Sequence, residues 1–156
     1  MEDFDKKGEV KMAAEEKAGG EDFRPKILTF STDRISDPGI DLAGSSHMHY
    51  PTTAMVVSLP CSSLIKPQWI VYALERGFDG VFIAADGEEC AFLPDCTDRA
   101  ARIVADAQAL LGEKGYEPER LKMAAICSVC AESFTNHIRE FYEALKKLGP
   151  VKKKGG

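Results

Sequence analysis

The chain has 156 residues, 44% of them hydrophobic and 29% charged, with a formal net charge of −5. One soluble domain with a core of its own is expected, and a general binder of nucleic acid or anionic membranes is not, because both tasks call for a basic chain. No apolar run approaches the ~20 residues needed to span a bilayer. The start, Met1-Glu2-Asp3-Phe4-Asp5, lacks the basic and apolar regions of a secretory signal. Five cysteines are an odd number, and in a reducing cytoplasm they point to thiols or metal ligands rather than a disulfide framework.

Beyond Met1, residues 1–24 carry only Phe4, Val10, Met12 and Phe23 as large apolar side chains. Too little surface can be buried there to offset ordering, so a flexible tail is expected, with a transient helix near Val10–Lys17. The folded domain is expected over residues 25–149, followed by a tail at 150–156. Strands are predicted at Lys26–Phe30, Ala54–Leu59, Gly80–Ala85 and Leu121–Ile126. All are continuous apolar runs of the kind covered on both faces. The first crossover, around Gly39–Ser46, has room for one or two helical turns. Pro67 suits the first turn of the next helix and Gly77 its end, with Trp69, Ile70, Ala73 and Leu74 on one face. A longer helix starts near Thr97 as N-cap and buries Ala100, Ile103, Val104, Ala107, Leu110 and Leu111. The last helix places Phe134, Ile138, Phe141, Tyr142 and Leu145 together, with Lys146 and Lys147 at its negative end and Gly149-Pro150 as its stop. This alternation predicts a small three-layer α/β domain, flavodoxin-like in class, on a four- or five-stranded parallel sheet.

The cysteines fall where chemistry is expected. Cys61 follows the second strand, Cys90 and Cys96 the third, and Cys127-Ser128-Val129-Cys130 the fourth. In open α/β sheets the carboxyl edge of the strands binds ligands and cofactors, so distant cysteines can meet there. Thiolates suit an iron–sulfur cluster, zinc or dithiol exchange. The bland alternative makes Cys61 and Cys127 small apolar residues at strand ends. His47 and His49 could share a metal if extended, although a hydrogen-bonded loop pair is the simpler reading. His137 is expected to be exposed. Asp86, Glu88 and Glu89 form an acidic loop that is more simply solvated than catalytic. No dinucleotide or triphosphate signature occurs, and no acid–base constellation stands out.

Several segments, in order, resemble one family: Asp41-Leu42-Ala43-Gly44 with Tyr50-Pro51, Cys61-Ser62, Ala73, Gly77, Asp79-Gly80-Val81 with Ala84, Cys90, Gly115, Pro118-Glu119-Arg120-Leu121, and Glu132 with Phe134. The family is the delta (iron–sulfur) subunit of methyl-viologen-reducing, or F420-non-reducing, hydrogenase, also found fused to or beside heterodisulfide-reductase-like proteins. The resemblance spans about residues 25–149. It implies a cytoplasmic, non-catalytic electron-transfer subunit of an anaerobic oxidoreductase complex, carrying a [2Fe–2S] cluster. The implied partners are a flavin-carrying heterodisulfide-reductase A-like subunit, together with a hydrogenase, formate dehydrogenase or other redox subunit.

The chain also departs from that family. Thr32 and Ile35 stand where a cysteine pair follows the first strand, and Asp86 stands where a cysteine ends the third. His47 and Leu64 stand where the family has arginines. Family ligands therefore carry over only to Cys61 and Cys90. The expected cluster set is Cys61, Cys90, Cys127 and Cys130, with Cys96 as substitute or fifth thiol. Two other readings compete: a cluster-free docking subunit of the same kind of complex, and a thiol or zinc site at Cys127-x-x-Cys130.

Overall fold

The computed structural model describes residues 22–88, 90 and 92–152. Most of the expected N-terminal tail, Glu89, and the end of the C-terminal tail lie outside the described residues. In chain order the elements are β1 (Ile27–Thr32), α1 (Ser36–Ser45), β2 (Ala54–Leu59), α2 (Pro67–Glu75), β3 (Gly80–Ala85), α3 (Cys96–Glu113), β4 (Leu121–Ala125) and α4 (Ala131–Leu148). Short 3₁₀ turns at Ser62–Leu64 and Pro118–Arg120 precede α2 and β4. All three strand pairings are parallel, and the order across the sheet is β2-β1-β3-β4. The three-layer α/β reading therefore holds, with four strands.

Helices α2 and α3 cover one face, and α1 and α4 cover the other. On the first face Phe30, Ile70, Leu74, Val81, Ile83 and Leu111 are packed together. On the second, Ile27, Phe82, Ile126, Phe134, Ile138 and Leu145 form the core. Each residue of β3 is buried, as a central parallel strand requires. Gly80 is needed where α4 crosses β3, because a Cβ there would lie 2.6 Å from Leu145 Cδ1 and 2.9 Å from Phe141 Cζ.

Several sequence expectations need correction. The strand β2 is not covered on both faces: Met55, Val56 and Val57 are 59%, 38% and 43% exposed. It pairs only with β1, and among the described residues no helix packs substantially over it. The first crossover holds ten residues of helix rather than one or two turns. In α2 the buried positions are Ile70, Val71, Ala73 and Leu74, while Trp69 is partly exposed at the rim beside the Phe30 ring. Helix α3 begins at Cys96, one residue before the expected cap, after a turn in which the Cys96 N–H donates to the Leu93 carbonyl at 3.2 Å. His137 is half-buried rather than exposed.

The amino edge of the sheet is held by two charged residues. Asp79 accepts from the Lys26 N–H at 2.9 Å and from the Val151 N–H at 3.3 Å. Arg120 is fully buried. It donates to the carbonyls of Asp79 at 3.0 Å and Gly149 at 2.9 Å, and to the Glu117 carboxylate at 2.8 Å. A buried guanidinium is tolerable only when its donors are met in this way.

Candidate metal centre

The carboxyl ends of β1 and β3 are neighbours, yet the chain leaves them in opposite directions, to β2 and to β4. Such a switch point leaves a crevice between diverging loops, which is where open α/β sheets place ligands. Asp86 follows β3 directly and is buried. Cys90 lies half-buried in the loop beyond it, and Cys96 is buried as the first residue of α3. One ligand atom from each of Asp86, Cys90 and Cys96 lies within 4.8 Å of the others. Cys61, placed by Pro60 and the 3₁₀ turn after β2, brings its Sγ to 3.7 Å from that of Cys96. Two thiols and one carboxylate thus meet at the switch point, and a third thiol, Cys61, touches the group through Cys96.

Their surroundings divide the thiols by acidity. Burial works against the Cys61 thiolate, but hydrogen bonds from the Ser63 hydroxyl (3.0 Å) and backbone and from Cys96 outweigh it. The Cys61 thiol is therefore more acidic than usual. Cys96 is pushed up to about 11, chiefly by burial and further by its contacts with Cys61 and Cys90. The Ser62 hydroxyl, 3.5 Å away, opposes this only in part. A metal-free site accordingly holds one thiol ready to ionise beside one that keeps its proton.

Asp86 is also tied into the sheet. The Thr32 hydroxyl donates to Asp86 Oδ1 and accepts from the Ser36 N–H at 3.2 Å. The Ser36 hydroxyl accepts from the Thr32 N–H at 2.7 Å and donates to the Ala84 carbonyl at 2.8 Å. Two positions where the resemblance expects cysteines, Thr32 and Asp86, are joined here by a hydrogen bond. Of the acidic loop, Asp86 is buried and Glu88 exposed, so the expectation of simple solvation fails for the residue nearest the strand.

The structure gathers Cys61, Cys90 and Cys96 and leaves the expected partners Cys127 and Cys130 out of the group. Those two are disulfide-bonded to each other beyond β4. Strands β2 and β4 are the opposite edges of the sheet, about 14 Å apart at ordinary strand spacing. A sulfur committed to a disulfide also has no thiolate to offer a metal. Asp86 was missed as a member of this group because its type suggested a solvated loop; its place directly after a central strand was the available signal. His47 and His49 are both exposed, and among the described residues neither joins a metal-capable group. Among those residues no helix is long and apolar enough to cross a membrane.

Comparison with known proteins covers nearly the whole folded region. The iron–sulfur subunit of the F420-non-reducing hydrogenase of Archaeoglobus profundus is 34% identical over 137 residues, covering 85% of this chain and 96% of the relative. The vhu iron–sulfur subunit of the corresponding Methanopyrus kandleri hydrogenase is 35% identical over 126 residues, covering 80% and 95%. A ferredoxin:CoB-CoM heterodisulfide reductase subunit of Methanosarcina mazei is 33% identical over 128 residues; here the match takes in 81% of this chain but only 16% of that much longer protein. The family model described as methyl-viologen-reducing hydrogenase, delta subunit, matches residues 27–149. With most of both chains matched at this identity in the hydrogenase relatives, the chain belongs to the methyl-viologen-reducing hydrogenase delta-subunit family.

Proposed function

We propose that the protein is an electron-relay subunit of a multisubunit redox complex and holds an iron–sulfur centre with Cys61, Cys90, Cys96 and Asp86. The observation that carries this reading is the meeting of Asp86, Cys90 and Cys96 within 4.8 Å at the switch point, with Cys61 3.7 Å from Cys96. A [2Fe–2S] cluster takes four protein ligands, and a non-cysteine ligand is compatible with such clusters. The donor set fits in number, and its three thiolates fit in softness, with Asp86 as the one hard oxygen donor. When bound, the cluster supplies one-electron transfer. The chain's part is to hold it at the end of a rigid sheet, to shield one side by burial of Cys96 and Asp86, and to fix Asp86 through Thr32. Loading must displace the Cys96 proton, so assembly is favoured by alkaline conditions.

The proposed partner is a flavin-carrying protein of the heterodisulfide reductase A type. The support is that in two Methanosarcina relatives a domain similar to this chain is part of a much longer heterodisulfide reductase polypeptide. That fusion is the arrangement expected if the free-standing chain works against the same neighbour. A hydrogenase, a formate dehydrogenase or another redox protein would supply the other side.

The test is to isolate the full chain in its complex anaerobically, count iron and sulfide, and record visible and EPR spectra. About two irons per chain, lost in Cys61→Ser and in Cys96→Ser, are expected. Absence of iron after anaerobic reconstitution overturns the cluster. A second reading is favoured by the hydrogen bond from Thr32 to Asp86. In it, the cluster is replaced by a polar network and the chain serves only to dock redox partners. Unchanged complex assembly and electron flux in Cys61→Ser and Cys90→Ser would establish that reading instead.

A further inference from the structure

Cys127 and Cys130 are bonded across a four-residue loop, with their Cα atoms 4.9 Å apart. The loop is a turn in which the Cys130 N–H donates to the Cys127 carbonyl at 3.1 Å. The Cys130 carbonyl then accepts the first helical bond, from the Phe134 N–H at 3.0 Å. Beneath the turn, α1 approaches so closely that a Cβ on Gly39 would come within 2.5 Å of the Cys127 oxygen. The backbone of the turn is thus seated on α1. Its outer side is open: both sulfur-bearing residues are half-exposed, Ser128 is exposed, and Val129 is 77% exposed.

A structural role explains this bond poorly. It links residues already neighbours in sequence and in one turn, so it closes the kind of short loop that removes little chain entropy, and it ties no two elements together. The position favours exchange instead. Cys130 is the residue just before an 18-residue helix, where the positive end of the helix dipole favours a thiolate once the bond opens. A rigid turn holds the two sulfurs at bonding distance, and an apolar residue, Val129, stands beside them where a partner can rest.

We propose that Cys127 and Cys130 form a second redox centre, a dithiol–disulfide couple that exchanges two electrons with a protein or small-molecule dithiol. In the reducing direction a donor thiolate attacks the Cys127 sulfur. The Cys127–Cys130 bond breaks, and Cys130 leaves as a thiolate beside the α4 terminus. The second donor thiol loses its proton and attacks the donor sulfur of the mixed disulfide, releasing Cys127. Two electrons and two protons pass to Cys127 and Cys130, and the donor becomes a disulfide. This centre sits at the opposite sheet edge from Cys61, apart from the Asp86, Cys90 and Cys96 group, and needs no metal.

The experiment equilibrates the purified full chain with dithiothreitol buffers of graded reduced-to-oxidised ratio, then traps thiols by alkylation and reads them by peptide mass spectrometry. The peptide carrying Cys127 and Cys130 should pass reversibly between no label and two labels with a two-electron slope, while melting temperature changes little. Cys61→Ser should leave the titration unchanged, and the double variant Cys127→Ser/Cys130→Ser should remove it while preserving iron content. A bond that resists reduction in the folded chain, or whose reduction unfolds it, overturns the proposal, as does a pair that never oxidises. Loss of iron in the double variant also overturns it, by assigning the pair to the metal centre. A chain that lacks iron but titrates normally leaves this inference standing and removes only the cluster.

Discussion

Gly39 and Gly44 lie in the same helix, α1, and should respond to alanine with opposite signs. Helix propensity alone favours alanine over glycine by about 0.8–1 kcal/mol at both positions. At Gly44 a Cβ meets nothing within 4 Å, so Gly44→Ala should keep most of that gain, about 0.5–1 kcal/mol. At Gly39 the new Cβ would stand 2.5 Å from the Cys127 carbonyl oxygen and 3.5 Å from Ile126 Cγ2. The first contact is roughly 0.9 Å short of an ordinary one, and the opposing atom is backbone, which cannot swing aside as a side chain would. Overpacking of this kind costs about 1–3 kcal/mol or somewhat more, which exceeds the propensity gain. Gly39→Ala should therefore destabilise by about 1–2 kcal/mol net, lowering the melting temperature by roughly 3–8 °C, while Gly44→Ala raises it by roughly 2–4 °C. Thermal and urea melts of the two variants against the parent chain decide the matter. If both variants shift in the same direction, the close seating of α1 on the turn after β4 is wrong.

Arg120→Met should cost about 3–5 kcal/mol, because the carbonyls of Asp79 and Gly149 lose a charged donor in a dry site; a denaturant midpoint close to the parent's would contradict this. The hydrogen bond from Arg120 holds the Glu117 carboxyl below its usual range, so Glu117 adds stability above its unfolded pKa that is lost as pH falls through its folded value. Glu117→Gln should shrink the melting-temperature gap between neutral and acid pH slightly, the residue being partly solvated; an unchanged gap argues against the pairing. In metal-free protein at neutral pH, Cys61 should alkylate well before Cys96, whose thiolate fraction at pH 8 is about 0.1% for a pKa of about 11. Because the fold raises the Cys96 pKa, its contribution to stability is present below about pH 9 and is lost as pH rises towards 11. Equal labelling of the two thiols at pH 8 would contradict the described environment. The Thr29 hydroxyl is buried without a partner among the described residues, so Thr29→Val should be neutral or stabilise by up to about 1–2 kcal/mol; a marked loss of stability would mean that the hydroxyl is satisfied.

The α/β class was legible because continuous apolar runs alternate with 3.6-residue stripes, and three of the four strands begin at the expected residue. The exposure of β2 was not legible. Ala54-Met55-Val56-Val57 has the composition of a central strand, and only the strand order, which local sequence does not encode, makes it an edge. At the site, the reading that cysteines lie beyond the strand ends was sound. It did not separate the two groups, since strands close in sequence pattern can stand on opposite flanks. Asp86 and Thr32 were visible as replacements but not as mutual partners, because a contact 54 positions apart in the chain depends on β1 and β3 pairing. Among the residues that carry the sequence resemblance, Asp79, Gly80 and Arg120 serve the far end of the sheet and secure its architecture.

That far end has a consequence for how such a domain is built into larger proteins. The backbone enters at Lys26 and departs at Val151, and both N–H groups rest on the single carboxylate of Asp79. Entry and exit are therefore one side chain apart, and they lie on the border away from the thiols. A unit with such a narrow neck can be spliced into a longer polypeptide, or cut free from one, without disturbing the rest of the fold. Wherever it is grafted, its sulfur-bearing rim stays at the end of the sheet opposite the graft.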